Sequence, residues 1–120
     1  MAKKRKKSTY TIGKETELEY ARMKEKEGYI SYIPPKGNRW NENKDIYNLF
    51  DVLSLRSDCI RLSQVKTNFV SPDAIPNIKQ WLKENKHILP SNLVVELAVK
   101  KKATKRKPVR WVIKEIKAEE

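Results

Sequence analysis

The amino-acid sequence predicts an α/β domain, a mixed sheet flanked by helices, with its elements in the order helix, three strands, helix, two strands. Three observations carry that expectation. Residues 11–27 are rich in Glu, Lys, Leu, Ala and Met, which favour helix, and they run into Gly28, a stop signal. Short runs with strand character recur at 29–33, 49–55, 60–66, 93–99 and 109–117. Between the third and fourth of these, Ile75, Ile78 and Leu82 return at helical spacing.

Taken in order, residues 1–9 read as a disordered basic arm and 10–120 as a single domain. The helix at 11–27 has weak apolar periodicity, Leu18 and Ala21 followed by charge, so it is expected to lie on the surface with one narrow buried stripe. Tyr29–Ile33 is the first strand. The long stretch 34–45, opened by Pro34-Pro35, is a loop. Leu49–Leu55 and Ile60–Lys66 are joined by the short polar connection Arg56-Ser57-Asp58-Cys59 and most simply form a hairpin. A second helix covers 74–85, with Pro76 confined to its first turn. Leu93–Val99 is a strand. Val109–Lys117 is the last, with Val109, Trp111 and Ile113 alternating with polar neighbours.

The hairpin carries a conflict. Side chains alternate faces along a strand, so Asp51 would share a face with Leu49, Leu53 and Leu55, and Gln64 and Lys66 with Ile60 and Leu62. A carboxylate and an ammonium on apolar faces are costly unless paired, hydrated or metal-bound. If Ser57-Asp58 is the turn, Arg56 pairs with Cys59, and counting back sets Asp51 opposite Gln64, with Lys66 one step further along.

Charge is the second signal. The net charge is +12. Lys3, Lys4, Arg5, Lys6 and Lys7 form one run, and Lys100, Lys101, Lys102, Lys105, Arg106, Lys107 and Arg110 another, neither holding an acid. The other cations are balanced by the 15 Asp and Glu residues. Such confined excess is the footprint of contact with a phosphate backbone, DNA or RNA alike. In the 34–45 loop, Lys36, Asn38, Arg39 and Trp40 are further candidates for phosphate contact or base stacking.

Several classes are set aside. No apolar run approaches the roughly 18–20 residues of a membrane span, and no apolar signal segment follows the basic N-terminus. A single Cys59 and a single His87 exclude a His/Cys zinc site built from this chain alone. One unpaired cysteine suits a reducing, cytoplasmic setting. Trp81 and Trp111 are expected to be packing residues.

Asp51, Gln64 and Lys66 together suit phosphodiester hydrolysis. A carboxylate holding Mg²⁺ clamps the scissile phosphate and activates water, and a nearby Lys stabilises developing charge. An Asp51–Lys66 salt bridge with no metal is the structural alternative. The helix with Gly13 and Glu17, then Gly28-Tyr29, Asp51 and Gln64-Val65-Lys66, resembles the pattern of the PD-(D/E)XK nuclease superfamily, and within it archaeal Holliday junction resolvases and enzymes that restrict methylated DNA. The resemblance covers residues 12–100. It implies a restriction-endonuclease-like α-β-β-β-α-β core, here with an added C-terminal strand. It further implies a Mg²⁺-dependent endonuclease (Mn²⁺ substituting) acting on DNA, including branched or structured DNA, as a homodimer. By the same resemblance Asp51 is the central metal ligand and Lys66 the catalytic cation; Gln64 and the Val65 carbonyl can add neutral oxygens to the metal. Gln64 stands where the family usually has Glu or Asp, so a nucleic-acid-binding protein of the same fold with a weak or inactive site is the rival reading. The helical carboxylate maps best to Glu17, with Glu15 and Glu19 as alternatives. Asp45 is a further carboxylate near the hairpin.

Overall fold

The computed structural model describes residues 9–34, 46–47 and 49–118. Lys3–Lys7, Lys36, Asn38, Arg39, Trp40 and Asp45 lie outside the described residues. Two helices and five strands follow the expected order: α1 Thr9–Lys26, β1 Ile30–Tyr32, β2 Val52–Arg56, β3 Cys59–Thr67, α2 Ala74–Asn85, β4 Leu93–Lys101 and β5 Arg110–Glu115. The strands form one sheet in the order β1-β2-β3-β4-β5. Every neighbouring pair is antiparallel except β3 and β4, which are parallel and are connected through α2. The fold is therefore α/β with a mixed five-stranded sheet.

Alternation along the strands sorts the core into two layers. Leu62, Val95, Leu97 and Val99 face α2 and pack with its Ile78 and Leu82, together with Phe50 and Ile116. Val52, Val65 and Ala98 face α1 and pack with its Tyr20 and Ala21. Trp81 closes the α2 layer with its ring edge-on to Phe50, 5.2 Å between centroids. Trp111 meets Tyr20 in the other layer at 5.7 Å. Both are half-buried packing residues.

Helix α1 ends as its sequence demands. Tyr29 N–H donates to the Lys24 carbonyl and Gly28 N–H to that of Glu25, both at 3.0 Å. Gly28 sits at φ +96°. This is the Schellman arrangement, whose left-handed residue strains any side chain with a Cβ. The buried face of α1 departs from expectation. Leu18 is exposed, whereas Thr16, Glu17, Tyr20, Ala21 and Lys24 are buried. A stripe this polar leaves almost no hydrophobic periodicity to read.

The β2–β3 register is the one counted from the Ser57-Asp58 turn: Arg56 pairs with Cys59, Leu55 with Ile60, Val52 with Ser63. Arg56 Nε bonds Asp58 Oδ1 at 2.6 Å across the turn. The strand itself starts later than expected. Ile46 and Phe50 exchange backbone hydrogen bonds at 2.9 and 3.0 Å ahead of β2, and Tyr47 sits at φ 54°. Leu49 and Asp51 are thus not strand residues, and Asp51 does not share an apolar strand face with Leu49, Leu53 and Leu55. It lies at a bend just before β2.

Candidate active site

Asp51 owes its position to that bend. Its N–H donates to the Ser63 carbonyl at 2.8 Å, so the chain has left the ladder register that would set it against Gln64. Its carboxylate Oδ2 accepts the backbone N–H of Val65, also at 2.8 Å. A side-chain oxygen here takes over a donor that a continued β2 would have paired through its backbone. Asp51 is buried, at 6% exposure, so its orientation is held by the strand it bonds.

A cleft of about 500 Å³ opens beside it, lined by Ile12, Gly13, Glu17, Asp51, Val65, Lys66, Thr67, Asn68, Phe69 and Lys102. Helix α1 supplies one wall. A hydroxyl pair fixes that wall to β3: Thr16 Oγ1 lies 2.8 Å from Thr67 Oγ1 and donates to the Ile12 carbonyl at the same distance. Glu17 follows Thr16 on the helix and is buried on the cleft side. Of the three helix acids considered, it is the one lining this cleft. Glu15 is exposed, and Glu19 forms an ion pair with Lys100.

Strand alternation turns Gln64 and Lys66 toward the opposite face from Val65. Lys66 reaches the cleft nonetheless, near the end of β3. Its charge also reaches Asp73, whose carboxyl is held below its ordinary value chiefly by the Ser71 hydroxyl, with the Lys66 cation adding a little. Gln64 does not line the cleft. Its Oε1 is buried without a hydrogen-bond partner among the described residues. An oxygen buried this way is costly unless it meets a donor or a cation.

The basic segment falls at the same end of the sheet. Lys100 is neutralised by Glu19. Lys101 Nζ donates to the Asn68 carbonyl at 3.2 Å, and Lys102 lines the cleft. Lys105, Arg106 and Lys107 are exposed in the β4–β5 connection, where Thr104 Oγ1 accepts the N–H groups of Arg106 and Lys107.

Among the described residues no three His, Cys, Asp or Glu side chains gather as a metal-binding group. Mg²⁺, however, is commonly held by one or two carboxylates, with waters and substrate phosphate completing its shell. Glu17 and Asp51 on one cleft meet that lower requirement.

A second polar cluster has almost no signature in the sequence. Glu96, almost fully buried at 1% exposure, lies on the α1 face of β4. Tyr20 and Ser63 donate hydroxyls to its Oε1, the latter at 3.0 Å. Arg61 pairs with its Oε2 at 2.8 Å while bonding Tyr29 through Nε. Burial pushes the Glu96 carboxyl up to about 7, and Glu115, opposite it on β5, adds to the rise. The one available signal is a lone acid inside the apolar run Leu93–Val99.

No family model and no curated protein matches the chain. No helix among the described residues is long and apolar enough to cross a membrane.

Proposed function

We propose that the chain is a metal-dependent endonuclease of restriction-endonuclease-like fold, hydrolysing DNA phosphodiester bonds. The observation that carries this is one cleft lined by Glu17, Asp51, Val65, Lys66 and Lys102. Helix, bend and strand bring two carboxylates and two cations together from four separate parts of the chain. The element order and the β3–α2–β4 parallel crossover agree with the α-β-β-β-α-β core implied by the resemblance.

In this reading Asp51 and Glu17 would hold Mg²⁺, with the Val65 carbonyl as a neutral oxygen available to it, while Gln64, turned to the other face of β3, stays outside its shell. The ion, when bound, supplies Lewis-acid polarisation of the phosphate and a water of lowered pKa. The chain's own groups do the rest. Lys66 balances the charge that develops on the phosphoryl oxygens. Lys102 orients the strand by a phosphate contact, and Lys105, Arg106 and Lys107 extend the track along the backbone. The Val65 N–H keeps the Asp51 carboxylate aimed, so little reorganisation is needed when substrate arrives. Cutting both strands of a duplex calls for two such centres, hence a homodimer.

Gln64 brings no charge, and the described residues hold no third acid at the cleft. This favours, as the second reading, a binding protein of the same fold with little or no cleavage. Crystals soaked in Mn²⁺ with a short DNA separate the two. Anomalous density beside Asp51, together with Mn²⁺-dependent cleavage in solution, is the expected result. Salt-sensitive DNA binding with no density there and no cleavage would leave the binding reading standing.

A further inference from the structure

We propose that Phe69 is a stacking platform for an unpaired nucleobase at the mouth of the Asp51 cleft, which selects DNA with exposed bases over perfect duplex. The inference rests on the nucleic-acid reading above and names the substrate feature that the same cleft would recognise.

A single exposed apolar side chain is ordinary on a protein surface. Phe69 differs in three respects. It is the most exposed aromatic among the described residues, at 72%, yet it lines the cleft that holds Asp51, Glu17 and Lys66. Its ring stands among cations, since Lys66 and Lys102 line the same cleft and Lys101 bonds the residue before it. An aromatic face flanked by lysines is the combination that single-stranded nucleic acid uses, base on ring and phosphates on the charges.

The third respect is rigidity. Asn68 adopts the left-handed conformation at φ 60° and is stapled to the end of β4 at three points. Its N–H donates to the Lys100 carbonyl at 2.9 Å. Its Oδ1 accepts the Lys102 N–H at 2.7 Å, and its carbonyl accepts Lys101 Nζ. Phe69 N–H then bonds the Thr67 carbonyl at 2.6 Å. The backbone under the ring is thus fixed before any ligand arrives, which lowers the ordering cost of binding. Bases inside a duplex are already stacked on each other and cannot offer a free face to the ring. A single strand, a bulge or a branch point can.

The test is equilibrium binding of the full chain in EDTA, so that cleavage plays no part. The probes are a fluorescein-labelled single strand of about 16 nucleotides, long enough to fill a typical single-strand groove, and a blunt duplex of the same length. Phe69→Ala is expected to weaken single-strand binding roughly 5- to 150-fold, the range for removal of one base–aromatic stack, and to leave duplex binding within about twofold. Phe69→Trp is expected to restore single-strand affinity, and its fluorescence to be quenched by the single strand and not by the duplex. Equal weakening on both probes, or none on either, would overturn the platform while leaving the nucleic-acid reading intact. Failure of the wild-type chain to bind either probe would overturn both. Phe69 is largely in solvent, so the Ala variant folds and the comparison is clean.

Discussion

Replacing Glu96 by Gln should remove a pH dependence of stability worth about 3 kcal/mol. The carboxyl sits at about 7 in the folded chain against an ordinary 4.5, because burial disfavours its charge and Glu115 adds repulsion. At about 1.36 kcal/mol per pH unit, that gap comes to roughly 3 kcal/mol. The sign follows from proton binding. Below pH 4.5 the group is protonated in both states and its contribution is fully present. Between 4.5 and about 7 the unfolded chain releases the proton that the folded chain retains, so the contribution is lost as pH rises through that window. Above about 7 a buried anion remains, leaning on Arg61, Ser63 and Tyr20. Gln keeps the shape and still accepts hydrogen bonds, without the ionisation. Urea unfolding followed by tryptophan fluorescence, on both chains from pH 4.5 to just above 7, measures the difference. The Gln variant should gain on the wild type by about 3 kcal/mol across that range. A flat difference would show that Glu96 titrates alike folded and unfolded. A wild type that gains with rising pH would mean that the Arg61 pair outweighs burial, and the reasoning would be wrong.

Three further outcomes are expected. Gly28→Ala should cost about 1–2 kcal/mol, since the left-handed C-terminal residue of α1 gains a Cβ; thermal unfolding of the two chains checks it. Gly13, inside α1, has open space where a Cβ would stand, so Gly13→Ala should stabilise the helix by about 1 kcal/mol while weakening DNA affinity, because the added methyl intrudes on the cleft; stability and binding moving in the same direction would argue against that placement. Changing Lys105, Arg106 and Lys107 together to Ala should lower the slope of log affinity against log salt by about 0.9 for each phosphate that is no longer neutralised, with the unfolding midpoint unchanged.

The parts of this fold that are legible in the sequence are those where local chemistry and the tertiary structure agree. Ile75, Ile78 and Leu82 mark α2 because two of the three point into the core. Gly28 marks the end of α1 because only a residue without a Cβ is comfortable there. The Ser57-Asp58 turn sets the β2–β3 register by itself, and Arg56 braces it. What is not legible is where the fold buries polar groups. The inner face of α1 is Thr16, Glu17, Tyr20 and Lys24, which no hydrophobic pattern announces. Glu96 is masked by the apolar run around it. Asp51 reads as a strand residue because Leu49 and Phe50 precede it, whereas Phe50 bonds back to Ile46 and the ladder ends at Val52. That same departure brings its carboxylate to the Val65 N–H and onto the cleft. The composition of the cleft is partly legible, through Glu17, Asp51 and Lys66. Asn68 and Phe69 are not, since their role depends on where β3 and β4 end relative to each other.

The most direct test of the nuclease reading is single-turnover cleavage by Asp51→Asn. Asn keeps an oxygen for the Val65 N–H and so avoids the roughly 1–3 kcal/mol cost of an orphaned buried donor, while removing the charge that would hold the metal. Wild type and variant are compared on labelled linear and four-way DNA in Mg²⁺, at protein concentrations that saturate binding of each. Cleavage by the wild type that depends on Mg²⁺ and disappears in the variant, with affinity retained, is the predicted result. Equal cleavage rates in the two chains, or none in either at full binding, would contradict it.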